Sequence, residues 1–508
     1  MKTLNIINYK NIFLFIFSVL SIITSCTEDF EETNTDPNNP KEVDIPLIFT
    51  SGERSILYKY GRFTEGTDWD LWCGLWIQTF AGNHGNGVNY DLYDILPNAS
   101  LWDRQYDALN DLKIVISLGT EREAWQHVGA SKIISALALG TLTSQYGGIP
   151  WSEALVGSEN PNPKFDTQEE IYNSMFSLLS EGIADLDKTS SIQLGAEDFV
   201  FHNSAAASNE EQLNKWKALA YALEARYRNH FSIKDPSGSA TAALTAVDNA
   251  KSAGFTEHAY DLVFPYEGAD IYRNGYYHLF QNNQMIASEV FMNTLTSTND
   301  PRKEAYWNTE ATDGTVVGYT GKSNGFGTDN ASYSPVGPQG FYGKETSPQL
   351  ISTHFELLFI EAEAALRSGD AERAATAHNA AIIAQLNLVT PSAIEFLTSS
   401  GGDVSTYQAK INTYIAAFAD EDAGSITIEK IMTEKHKAMF TMNTESWVDV
   451  RRHNYDYPAT LSIPTNDGKA IATEFIQRVP YPEESTNTNS NTPDGVTIFD
   501  QLWIFKAN

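Results

Sequence analysis

The sequence predicts a mainly α protein: a helical-repeat scaffold of about four helix–turn–helix pairs carrying long irregular loops. Three observations point there. Long segments repeat apolar residues at helical spacing and open on capping residues. One of them, "REAWQHVGASKIISALALGTLTSQYG", is full of Ala, Ser and Gly, so a neighbouring helix can approach closely. Between the periodic segments run stretches rich in Gly, Asn and Tyr with no sustained period.

The chain opens on Lys2 and Lys10 and an apolar run over residues 12 to 23, followed by Thr24, Ser25 and Cys26. A run of about 12 residues is too short to span a bilayer and has the layout of a secretory signal peptide. A cysteine at the cleavage site resembles a bacterial lipoprotein signal. Residues 1–25 would be removed and Cys26 would become the lipidated first residue, held to the membrane by its acyl chains. The acidic "TEDFEE" that follows resembles a surface-export signal, which implies an outer-membrane anchor facing the cell exterior. "NTDPNNPKEVD" is dense in turn formers, so residues 26–44 read as a lipidated tether. Residues 45–508 read as a single domain, because no linker separates independent units, and no later segment is expected to cross a membrane.

The formal charge is −31 over 508 residues. Such a surface lacks the Lys/Arg patches that nucleic acid and anionic lipid need, so nucleic-acid binding is excluded as a reading. Acidity of this order suits a disordered chain, but an apolar fraction of 42% and an aromatic fraction of 12% supply a core. The chain has two cysteines. With Cys26 lipidated, Cys73 has no partner and reads as a small buried hydrophobe.

The helices follow in order. "LWDRQYDALNDLKIVISLG" precedes the Ala-rich segment, which stops at "YGGIPW": Gly147 and Gly148 supply positive φ, and Pro150 prevents continuation. In "DTQEEIYNSMFSLLSEGIADLD", Thr167 and Glu170 form a capping box. Ile171, Met175, Leu178, Leu179, Ile183 and Leu186 then share one face. "SNEEQLNKWKALAYALEARYRNHF" repeats the device with Ser208 and Glu211. "SPQLISTHFELLFIEAEAALRSG" places Ser347 as N-cap, Pro348 at the first helical position and Gly369 past the end. "DAERAATAHNAAIIAQL" closes a tight hairpin with it. "STYQAKINTYIAAFA" and "TIEKIMTEKHKAMFTM" come later. Antiparallel pairs of this kind look like degenerate tetratricopeptide units, although no strict period appears.

A set of blocks now occurs in a fixed order: "TLTSQYGGIPWSEAL", "PKFDTQEEIYNSMFSLL", "DPRKEAYW", "ELLFIEAEAALRSGD", "EKIMTEKHKAMFTMNTESWVDVRRHNYDYP" and "RVPYPEES". With the lipoprotein start, this set resembles the SusD/RagB-like outer-membrane lipoproteins of Bacteroidetes, and within them the SusD-like type 2 subgroup. The resemblance runs from about residue 26 to 491. It departs at Gly148, where the family often has an acid, and in "ALEARYRNHF". The resemblance implies a SusD-like fold and a protein that binds a nutrient, usually a glycan, at the cell surface. It also implies delivery of that nutrient to a SusC-like TonB-dependent transporter, without catalysis. By their chemistry most blocks are scaffold. Trp447 and Val450 read as core, and Arg451 and Arg452 read as partners of acids or loop carbonyls.

A sugar offers hydroxyls around its rim and apolar C–H faces, so its site needs flat rings beside amides, carboxylates or guanidinium groups. Two stretches have that composition. Trp69, Trp72 and Trp76 share one helical face and read as a core stripe, but the Gly- and Asn-rich loop after them offers Asn83, His84, Asn86, Tyr90 and Tyr93. In the resembled family the loop after this helix helps form the ligand site. The second stretch, residues 256–346, holds nine of the 24 tyrosines in under a fifth of the length. Tyr272, Arg273, Tyr276 and Tyr277 are its leading candidates, with Tyr319, Phe326, Phe341 and Tyr342 behind them. The bland alternative is that the loops close over one another and bury about half of these rings.

"GKSNG" at 321–325 matches a nucleophile elbow in letters only, since loop lies on both sides. The ten histidines are scattered, so no metal or cofactor is expected. Structural calcium among the Asp/Asn loops lacks any EF-hand spacing. A peptide-binding protein of the same architecture is the second reading, and a surface glycoside hydrolase a distant third. Nothing in the residues singles out one ligand.

Overall fold

The structure is a computed structural model, and it describes residues 44–58, 69–97, 100–202, 208–268, 273–328, 331–466 and 468–507. The signal peptide, Cys26, most of the tether and Tyr272 lie outside the described residues.

The chain begins with helix α1 (Ile45–Leu57), then α2 (Trp69–Trp76), strand β1 (Phe80–Gly82) and a short α3 (Gly85–Asp91). The first scaffold helices are α4 (Ser100–Glu121), α5 (Trp125–Tyr146), α6 (Gln168–Leu186), α7 (Asn209–His230) and α8 (Pro236–Ser252). A run of small elements follows: β2 (Leu262–Phe264), α9 (Gly275–Asn282), β3 (Met285–Ala287), α10 (Glu289–Ser297), α11 (Arg302–Tyr306) and β4 (Gln349–Ser352). The scaffold resumes with α12 (His354–Ser368), α13 (Ala371–Ser400), α14 (Val404–Phe418), α15 (Ile428–Ala438) and α16 (Asn443–Arg452). A two-residue hairpin, β5 (Thr465–Asn466) with β6 (Lys469–Ala470), and α17 (Glu483–Thr488) complete the order. The fold is mainly α, as predicted. Among the described residues the strands form two-stranded ribbons, β1 with β3, β2 with β4 and β5 with β6.

The scaffold is a succession of packed helices: α4 on α5, α5 on α6, α7 on α8, α8 on α12 and α12 on α13. Helix α5 is buried along nearly its whole length, which explains its small residues. At Gly129 an added Cβ would stand 2.7 Å from the Gly182 carbonyl oxygen, so α5 and α6 touch backbone to backbone. The capping box is present, with Glu170 N–H donating to Thr167 Oγ1 at 3.2 Å and Thr167 N–H donating to Glu170 at 2.8 Å. Ser208 caps α7 by accepting from the Glu211 N–H at 3.1 Å, without the reciprocal bond. Gly369 ends α12 in the left-handed conformation.

Four details depart from the sequence reading. Helix α12 starts at His354 behind the Thr353 N-cap, because Gln349–Ser352 is a buried strand pairing with β2. Gly147 has φ +85 but Gly148 is not in the positive-φ region; its requirement is space, since a Cβ there would lie 2.8 Å from the Asp166 carbonyl. On α6, Tyr172 is fully buried while Leu178 and Ile183 are half-buried, so the inward stripe is rotated slightly. Helix α13 runs for 30 residues through Pro391 and, by length and composition alone, could cross a membrane. Ala374, Ala381, Ile382, Leu386 and Val389 on it nevertheless lie in the protein core, against α12.

The core is aromatic. Trp76 and Trp447 pack with centroids 4.6 Å apart, and Phe440 stacks on Tyr306 at 4.5 Å. Cys73 is buried, as expected. Arg451 covers the Trp447 ring at 3.6 Å and donates to the Gln477 carbonyl, while Arg452 pairs with Glu363 and Asp449.

Candidate ligand-binding site

The two stretches chosen for their composition meet at one place. Strands β1 and β3 pair antiparallel, which brings residues 82–84 beside 283–285. Asn83 N–H donates to the Gln284 carbonyl at 2.8 Å, and its amide donates to the Asn283 carbonyl at 3.1 Å. Lys322 Nζ reaches the Asn83 side-chain oxygen at 3.3 Å. Asp91, at the end of α3, accepts from Gly82 N–H at 3.2 Å, Gly325 N–H at 2.8 Å and the Asn324 amide at 2.8 Å. One buried carboxylate therefore pins the 82–84 turn to the 321–327 loop. Burial raises its pKa to about 6 against the pull of those donors.

That pinning sets His84 exposed and Asn86 half-buried near the loop that carries Phe326, which is 50% exposed. The segment 82–93 is not an open loop: residues 85–91 are helical, and Tyr90 is buried in edge contact with Trp72 at 4.9 Å. Tyr93 packs near Phe499 and is likewise buried. Asn83 is buried and spends its amide on backbone. As residues presented to a ligand, Asn83, Tyr90 and Tyr93 are corrected: they shape the surface from beneath.

Helix α9 explains most of the second stretch. The Asn274 side chain caps it by accepting from the Tyr276 and Tyr277 amides. Tyr276 and Leu279 point inward, and Tyr276 is fully buried between Phe80, stacked at 5.7 Å, and the Asn443 amide at 2.9 Å. Tyr276 is thus a core residue and not a ligand platform. Tyr277, Phe280 and Gln281 follow the outward spacing i, i+3, i+4 and are half-buried or exposed, and Gln284 lies past the left-handed C-cap Asn283. Tyr277 stands beside Arg273, whose guanidinium lies 6.0 Å from its ring, and beside Glu345, which pushes the phenol pKa up. Arg273 Nε lies 3.6 Å from the Glu345 carboxylate. The 312 loop is tied to the same helix by the Thr312 hydroxyl, which donates to the Phe280 carbonyl.

The remaining candidates separate. Tyr342 is buried against Tyr306 and Phe440 and belongs to the core. Phe341 is half-buried and packs edge-on to Tyr342 at 4.9 Å. Tyr319 is half-buried against the core under Lys303, whose ammonium is 5.0 Å from the ring. Phe280, Gln281 and Gln284 are the residues that composition passed over; helical spacing within "YYHLFQN" is the signal that marks Phe280 and Gln281.

What results is an open surface on the outward face of α9, at Tyr277, Phe280 and Gln281, continued past its C-cap by Gln284. It carries rings at Tyr277, Phe280 and Phe326, amides at Gln281 and Gln284, and the Arg273–Glu345 pair at one end. Among the described residues it pairs no nucleophile with a base. Ser323, the central residue of "GKSNG", lies on a loop and donates to Glu289 at the start of α10. Among the described residues no group of three or more His, Cys, Asp or Glu side chains is placed to hold a metal ion.

The model of the SusD-like family described as "starch-binding associating with outer membrane" matches residues 37–482. No curated protein matches the chain. Among solved structures, a SusD/RagB family protein from Bacteroides thetaiotaomicron superposes with a TM-score of 0.73 at 20% identity, covering 92% of this chain and 100% of that one. A chitin-binding SusD homologue from Flavobacterium johnsoniae gives 0.69 at 20% identity, covering 91% and 99%. A chitin-binding protein gives 0.70 at 22% identity, covering 90% and 98%. The family match spans most of the chain and agrees with its mainly helical architecture, and the chain belongs to the SusD-like family of outer-membrane-associated proteins.

Proposed function

We propose that this protein binds a neutral glycan along the outward face of α9 and delivers it to a SusC-like TonB-dependent transporter. It acts as a lipoprotein anchored through Cys26 on the outer face of the outer membrane, and it binds without turnover. The observation that carries the reading is the spacing of Tyr277, Phe280 and Gln281 on one outward helical face, with Gln284 and His84 beyond the helix end and the exposed Phe326 on the 321–327 loop. Rings and amides in that arrangement suit the apolar faces and hydroxyl rim of a sugar. Family membership and the chitin-binding relatives support the ligand class. The family description supports the membrane association.

The test uses the soluble chain from residue 27, run in affinity electrophoresis and calorimetry against polysaccharides, with chitin oligosaccharides and malto-oligosaccharides as defined probes. Oligopeptide mixtures form the parallel set. Saturable binding of one glycan class, lost in Tyr277→Ala, supports the reading. Peptide binding with no glycan binding overturns it.

A further inference from the structure

A cavity of about 600 Å³ lies away from α9, bounded by α10, α13, α14 and α15. Its size falls within the range of small-molecule sites. His378, Phe418, Thr433, Glu434 and Lys437 are among the residues that line it.

Two buried polar groups in that lining keep unfilled hydrogen-bond capacity. His378 is 1% exposed, and its Nδ1 is buried without a partner. Burial lowers its pKa, against the opposing pull of Glu434, Glu421 and a hydrogen bond to the Phe418 backbone, so the neutral imidazole keeps one ring nitrogen to offer. Lys437 is also 1% exposed. Its ammonium donates to Glu434 at 2.6 Å and to the Tyr414 hydroxyl at 3.0 Å. The next acceptor, Asp300, is 3.8 Å away, so one of its three N–H groups is unused. Buried polar groups are ordinarily satisfied, and an unused donor on a cavity wall is a place for a ligand oxygen.

Charge narrows the ligand class. Lys437 and Arg302 balance Glu434 and Asp300, and Lys430 pairs with Glu421. Those pairs are neutral as a set and Glu429 adds a further carboxylate to the lining, which disfavours an anion that would have to leave water unpaired. The Phe418 ring, half-buried at the wall, suits the apolar face of a ring.

We infer that this cavity is a second binding site, for a neutral hydroxylated ring of about one or two sugar units, held by His378 and Lys437 and packed on Phe418. It stands on its own lining and does not need the α9 surface to bind the same ligand.

The test is NMR of the chain from residue 27 with isotope-labelled histidine, titrated with D-glucose, N-acetyl-D-glucosamine and sodium acetate. The expected result is a saturable shift of the His378 imidazole signals with a neutral sugar. Ala417→Trp, which places a bulky ring at the exposed mouth, is expected to weaken that shift at least tenfold. Thr433→Val gives a second variant on the wall should Ala417→Trp fold poorly. Tyr277→Ala is expected to leave the His378 response unchanged, so loss of α9 binding and loss of this site are separate readouts. No His378 response to either sugar, a response to acetate alone, or a response that neither cavity variant weakens would overturn the inference.

Discussion

Tyr276 and Tyr277, adjacent in the chain, face opposite ways on α9: the Asn443 amide donates to the Tyr276 hydroxyl at 2.9 Å inside the core, while Tyr277 stands half-buried beside Arg273 and Glu345. Successive helical residues are about 100° apart, so two neighbours cannot both serve one surface. The first is a stability residue and the second a surface one.

The pair therefore separates folding from binding. Tyr276→Ala is expected to cost about 3–5 kcal/mol in chemical denaturation, through the cavity it leaves and the unpaired Asn443 amide. Tyr276→Phe, which keeps the ring, is expected to cost about 1 kcal/mol. Tyr277→Ala is expected to leave the denaturation midpoint within the range of ordinary surface changes, about 0.5 kcal/mol.

A buried ion pair joins two scaffold helices. Arg226 on α7 donates to Glu356 on α12 at 2.7 and 2.5 Å and to the Ile351 carbonyl at 2.6 Å, with Glu445 at 3.9 Å. Removing the cation strands the buried Glu356 carboxylate and leaves Glu445 with His230 as its partner. Arg226→Met is expected to destabilise by about 3–5 kcal/mol, and Arg226→Met with Glu356→Leu by less than the single change. Denaturation of both variants against the wild type checks this.

Acidic groups give the protein an unusual pH profile. Burial raises Asp70 to about 7 and Asp91 and Asp261 to about 6, and it raises Glu53 as well. Their unfolded values are about 4, so between pH 4 and 7 the native state holds the extra protons and stability falls as pH rises. Glu445 behaves oppositely: burial opposes ionisation, but Arg226 and His230 hold it at about 2, so its stabilisation is lost as pH falls from about 4.5 towards 2. The melting temperature is expected to peak between about pH 4 and 6 and to decline towards pH 8. Asp70→Asn is expected to flatten the part of that decline between about pH 5 and 7, and thermal melts across the range read it directly.

The capping box is a smaller, local test. Thr167→Ala is expected to cost about 1 kcal/mol, and amide exchange at the first turn of α6 is expected to accelerate.

The long helices were legible because each carries its own signals: Thr167 with Glu170, Ser208 with Glu211, and Gly369 at a C-terminus. Periodicity over about 15–20 residues averages out local exceptions such as Tyr172. Pro348 misled because a proline just before a strand looks the same in sequence as one opening a helix. Helix α8, "PSGSATAALTAVDNAKS", escaped notice because its buried face is almost all alanine, which gives little apolar contrast. The candidate site was legible in composition and not in orientation. Tyrosine enrichment drew attention to residues 256–346, which hold α9, but Tyr342 and Tyr276 owe their presence to the aromatic core around Phe440 and Phe80. The β1–β3 pairing, which places His84 beside Gln284, joins residues 200 apart and has no local signature.

The most direct measurement is calorimetric titration of the chain from residue 27 with the glycan it retains in affinity electrophoresis, run in parallel on Tyr277→Ala with Phe280→Ala and on Tyr276→Phe. The account predicts that the outward double change weakens binding at least tenfold with an unchanged melting temperature, while Tyr276→Phe binds as the wild type does. Full affinity in the folded double variant would contradict it and move the site away from α9.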